Sequence, residues 1–285
     1  MKKRMLLCAV ITLLLVLATG CGKSTVAKIM NSVEPNEFNK NYEPVIEEDV
    51  KKAEVNSPTL QEELAEVETM ALNYENKVQE TETQQEMNVA ERWPLKVWTT
   101  ELDNLKIRIT EIVDETVRDQ FYTEQNGWSK MIDEVTAENI GTREEGGSLY
   151  PTLQAELWST FTRNRAYILA AKLAALKGES FDMPEKDPKY GSFVDNQGTD
   201  SVYGFLITKM GWTGDEAVIS VYRTGKLRGV FTASGDKDYI FTSDDEKVKG
   251  LIRINGWNGA SFEVNEVSGE SPFHVGDKFE FNYVF

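Results

Sequence analysis

The chain is poor in the residues that cross-link and catalyse: its 285 residues include two cysteines and one histidine. Cys8 lies inside the apolar stretch at the start and Cys21 directly after it, so no disulfide can staple the body that follows. That body has to be held by its core. A single histidine, His274, cannot assemble a zinc site of His and Cys ligands, and without a free thiol in the body no Cys-His pair forms either. Catalytic residues, metals and cofactors are therefore not expected. Acidic residues abound, but nothing in their spacing singles out two of them as a glycosidase pair. The Asp195-Asn196-Gln197-Gly198-Thr199-Asp200 run lacks the alternating ligands and final glutamate of a calcium loop and reads as a turn. Positive charge is scarce too, with 31 Lys and Arg against 47 Asp and Glu and a net charge of −16. Such a field repels nucleic acid and raises encounter rates with cationic proteins. Between Glu34 and Glu91 sixteen acids face four bases, which concentrates the charge near one end.

Long apolar runs are absent except at the start. Lys2, Lys3 and Arg4 precede an uncharged run from Met5 to Ala18, and Ala18-Thr19-Gly20 places small residues before Cys21. The run is short of the roughly 20 residues and flanking anchors of a membrane span. A nucleotide loop is excluded as well, because Gly22-Lys23-Ser24 would need glycine at position 17, which is Leu17. The segment resembles the lipobox of bacterial lipoproteins. That resemblance implies a signal peptide over 1–20, lipidation of Cys21, and a protein anchored to the cell membrane on its extracytoplasmic face. A plain secretory signal would account for the first twenty residues but not for the cysteine.

Residues 21–58 have little periodicity, with prolines at 35, 44 and 58, and read as a flexible acidic tether. Periodic stripes follow: Leu60, Leu64, Val67, Ala71, Tyr74 and Val78; then Trp98, Leu102, Leu105, Ile109 and Ile112; then Val117, Phe121, Trp128, Ile132 and Val135; then Leu153, Leu157, Phe161, Ile168 and Leu176. Each predicts a helix with one buried face, Pro94 restarts the second near Trp93, and Gly178 ends the last. Together they predict an antiparallel helical bundle over 59–178. Residues 179–200, with two prolines, read as a linker. From 201 to 285 the period changes to two, as in Val248, Gly250, Ile252 and Ile254, and in Phe279, Phe281, Tyr283 and Phe285. Seven short strands predict an antiparallel β-barrel or sandwich. The expected class is α+β in two domains.

Five pieces of the helical region occur in an informative order: Thr83-Gln84-Gln85-Glu86-Met87-Asn88; Trp98 with Glu101-Leu102-Asp103-Asn104-Leu105; Glu124-Gln125 with Trp128; Glu145-Gly146-Gly147-Ser148-Leu149-Tyr150-Pro151; and Thr162-Arg163-Asn164-Arg165-Ala166. In order and spacing the stretch 83–177 resembles the LprI-like lysozyme inhibitor domain. Many members of that family carry paired cysteines here and this chain has none. The resemblance implies a small helical domain of exported or lipid-anchored bacterial proteins, and non-catalytic binding of a cationic muramidase such as lysozyme. Glu144, Glu145, Ser148 and Tyr150 are the expected contact residues, since they join two acids, an exposed turn and an aromatic with a polar tip. Trp98 and Trp128 read as core anchors, and Arg163 and Arg165 as partners of acids on neighbouring helices. The alternative function is an envelope structural or small-ligand-binding module acting through the β-rich part, which would need an apolar pocket there. The sequence leaves the oligomeric state open.

Overall fold

The computed structural model describes residues 38, 40–211, 214–235 and 237–285. The expected signal peptide, Cys21 and the first part of the expected tether lie outside these residues, as does Asp236. Residues 41–285 form one compact unit of class α+β.

The helices are α1 (Glu43–Asn56), α2 (Leu60–Val78), α3 (Gln84–Ala90), α4 (Arg92–Ile112), α5 (Glu115–Ile140), the single turn α6 (Arg143–Gly146) and α7 (Tyr150–Lys177). The expected stripe of α2 is buried at Leu60, Leu64, Val67 and Ala71, and Thr59 caps the helix by accepting the Glu62 N–H at 3.2 Å. In α4 the stripe residues Trp98, Leu102, Leu105 and Ile109 are buried, and Pro94 falls in the first turn, where its missing N–H costs nothing.

Two helices depart from the sequence reading. Helix α1 occupies the last part of what reads as tether: Pro44 sits in its first turn, and Ile46, Val50 and Ala53 are buried along one face. Tyr42 meets Trp93 at 4.8 Å and Tyr74 at 6.0 Å, so aromatic edges tie this segment to α2 and α4. In α7 the expected Leu153 and Leu176 are exposed, whereas Ala155, Phe161, Ala166, Tyr167, Leu169, Ala170 and Leu173 are buried. Small and large residues are buried around most of its circumference because α4 covers one side and the β-region the other.

The sheet contains β1 (Gly191–Asp195), β2 (Gly204–Met210), β3 (Asp215–Val221), β4 (Gly225–Ala233), β5 (Asp238–Ser243), β6 (Val248–Ile254), β7 (Ala260–Val267), β8 (Lys278–Phe281) and β9 (Tyr283–Val284). Strand β1 lies in the stretch expected to be a linker. All pairings are antiparallel, in the order β8-β7-β6-β5-β4-β3-β2-β1-β9. Asn282 alone separates β8 from β9, so one strand leaves β7 and joins β1, nearly closing a barrel. The break also changes the predicted alternation: Phe281 and Val284 both face the barrel core, and Phe285 turns towards the helices. Gly259, at φ 87°, permits this crossing, since a Cβ there would lie 2.3 Å from the Phe281 carbonyl oxygen. Six phenylalanines, at 193, 231, 241, 262, 273 and 281, fill the barrel interior.

Helices and barrel are fastened by the segment after the break. Phe285 is buried, stacks on Trp128 at 6.2 Å and meets Phe161 edge-on at 5.3 Å. Its carbonyl accepts a buried hydrogen bond from Asn164 Nδ2 at 2.8 Å, and its N–H donates to Ser192 O at 3.0 Å. At the end of α5, Lys209 Nζ donates to Asn139 O at 2.7 Å and Ser192 Oγ to Asn139 Oδ1 at 3.1 Å.

Candidate functional site: an exposed turn and a cationic seam

The four expected contact residues lie in the connection between α5 and α7. Gly141 turns the chain out of α5, Thr142 starts α6, and Gly147–Leu149 form one 3₁₀ turn before α7. Glu145 Oε2 accepts the Thr142 N–H at 2.7 Å, and these hydrogen bonds hold its carboxyl below the usual carboxylate range. Glu145 is therefore committed to a capping box and shapes the turn from within. Tyr150 is half-buried at the start of α7. Glu144 and Ser148 remain exposed, joined by Leu149, an apolar side chain left 51% exposed. Gly147, at φ 53°, holds the left-handed conformation that lets the chain reverse between α6 and the 3₁₀ turn.

A second constellation, which the sequence reading did not find, lies where α2, α7 and the barrel meet. Arg163 binds one Glu68 oxygen through Nε at 3.0 Å and Nη2 at 2.5 Å, while the Tyr167 hydroxyl donates to the other. The guanidinium lies 4.9 Å from the Tyr167 ring and 5.9 Å from Trp98. Tyr167 in turn meets Phe181 and Trp257 at 6.3 and 6.4 Å. Lys186 Nζ lies 4.5 Å over Trp257, whose indole N–H donates to Pro184 O at 2.7 Å. Burial, with the charge of Arg163 nearby, pushes the Lys186 amine down to about 8. Arg163 thus holds the Glu68 carboxylate, while Lys186 rests on the aromatic wall beside it. Arg163 was legible from its motif as the partner of an acid; Lys186 and Trp257 carry no local signal for it.

The motif pieces converge in space. Thr83 and Glu86 form the capping box of α3, and Gln84 Nε2 donates to Thr152 Oγ1 at 2.9 Å. Arg165, 3% exposed, binds Glu124 Oε1 at 2.6 Å and Gln125 Oε1 at 3.1 Å. Trp98 and Trp128 are buried, as core anchors are. These contacts join helices, whereas Glu145 to Leu149 form an exposed turn between α5 and α7.

The remaining groups are engaged locally. His274 is exposed with Nδ1 3.7 Å from Asp277. In the 195–200 loop, Asp195 and Asn196 accept backbone N–H groups of Gln197 and Gly198, and Asp200 pairs with Lys130. Among the described residues no cluster of three or more His, Cys, Asp or Glu could hold a metal ion. A shallow cleft of about 280 Å³ opens beside β8, lined by Ser220, Tyr222, Lys278, Glu280 and Asn282 among others. No family model, curated protein or solved structure matches the chain.

Proposed function

We propose that the protein is a lipid-anchored, non-enzymatic component of the cell envelope that binds a cationic muramidase of the lysozyme type. The observation that carries this reading is the 143–149 turn: an apolar side chain flanked by Ser148 and Glu144, exposed on a frame stiffened by the Thr142–Glu145 capping box. A rigid exposed anchor loses little conformational entropy on binding. The net charge of −16 supplies the steering that a cationic partner would feel. In this reading the helices act as a bundle that presents the turn, and lipidation of Cys21 holds it at the membrane. The aromatic filling of the barrel interior favours this over a small-ligand module acting through the β-region, which needs internal space.

Surface plasmon resonance with immobilised lysozyme, joined to a lytic assay on cell-wall substrate, tests the reading. Binding is expected to weaken roughly tenfold or more between 50 and 300 mM salt, mostly through the association rate. Leu149→Ala is expected to weaken it about tenfold through dissociation. Absence of salt-sensitive binding at micromolar protein overturns the proposal.

A further inference from the structure

Helix α4 carries a carboxyl group that no part of the binding surface uses. Glu101 lies on the buried stripe between Trp98 and Leu105 and is 0% exposed. Neither of its oxygens meets a hydrogen-bond donor. The ionisable group that acts on it most strongly is another carboxyl, Glu63 of α2, which is 2% exposed and ion-paired with Arg108, two α4 turns further along the same face. Glu54 of α1 contributes a weaker negative field from the third side and is itself paired with Lys51 at 2.6 Å. Helix α7, also packed against α4, turns its Arg163 and Tyr167 to Glu68 and Trp98.

The charge arithmetic of this interior is simple. Two carboxyls share one guanidinium, and a second buried anion without a donor would cost several kcal/mol. One proton removes that charge and also provides the missing donor, so that two facing acceptors become a hydrogen-bonded acid and carboxylate. We propose that Glu63 and Glu101 hold a single proton between them, and that this buried proton site is a pH-dependent clasp joining α2 to α4.

The direction of the effect follows from linkage. Burial, then the charge of Glu63, raises the Glu101 carboxyl well above 4.5. A group raised in the folded state gives stability that is complete below its unfolded value and is lost as pH rises through the folded one. Above about 4.5 and below the folded titration, folding takes up close to one proton, and the unfolding constant grows towards tenfold per pH unit from this site. Glu101→Gln keeps the shape and a donor to Glu63 but cannot ionise.

Denaturant unfolding of the full chain and of E101Q between pH 5 and 9 tests the clasp. The expected result is a wild-type slope that disappears in E101Q, with the variant the more stable protein at pH 8. Infrared spectra at pH 7 should show a protonated-carboxyl C=O band in the wild type that E101Q lacks; should the variant fail to fold, the wild-type spectrum alone decides. An unchanged slope in E101Q, or no such band at pH 7 in the wild type, overturns the proposal.

Discussion

The Lys186 amine lies over the Trp257 face, and its burial and the charge of Arg163 work against its proton more strongly than the ring and Asp187 favour it. Its folded value of about 8 lies below the 10.5 of a free lysine, so the stability belonging to the neutral amine is present above 10.5 and is lost as pH falls through 8. Carbon-13 titration of the lysine Cε resonances should show one group with a midpoint near 8, and Arg163→Gln should move that midpoint upward. A midpoint above 10 in the wild type would mean that the amine is solvated. At this scale sequence legibility divides by reach. Trp98, Trp128, Arg163 and Arg165 were readable because helical spacing says which face a residue occupies. Lys186 was not, because its environment is made by residues far away along the chain. Glu101 lies between: three residues after Trp98 and four before Leu105, it stands on the buried stripe, and a charged residue in that position is itself a signal.

Elements were legible where one face alone is buried. Strand β6 buries alternate residues as predicted, and α2 begins and ends where its stripe does. Helix α7 was misread in detail because it is enclosed on two sides, which removes the single stripe that periodicity detects. Helix α1 has no clear signal in the sequence because it buries only Ile46, Val50 and Ala53 among many charges, and because a proline such as Pro44 suits a helix start as well as a flexible segment. The 143–149 turn was legible as a turn, yet not the division of labour within it. Thr142→Ala should cost about 1 kcal/mol, the usual value of a lost N-cap. It should also raise amide exchange across 142–149 while leaving the β-strands protected. Uniform loss of protection across the molecule would count against a local role for the cap.

At the scale of the whole molecule, the residues on either side of 179–190 belong to one compact unit, because Phe285 is buried among helical side chains while Val284 pairs with β1. The sequence signalled both halves and concealed the fastening, since a single irregular residue, Asn282, decides where the next side chains point. Calorimetry of the wild type should show one cooperative transition. Phe285→Ala should cost about 3–5 kcal/mol, as large aromatic truncations do, and separate the melting of helices and barrel. A loss below about 1 kcal/mol with the transition still single would mean that other contacts fasten the two. The same crossing at Asn282 bears on how the chain reaches this state. Every other strand pairs with a sequence neighbour through a short connection, whereas β9 meets β1 across 91 residues, from Phe193 to Val284. Loop-closure entropy makes that pairing the slow one. The meander from β1 to β8 can therefore zip early as an open sheet, and ring closure, helix docking and burial of Phe285 then arrive together as the last event of folding.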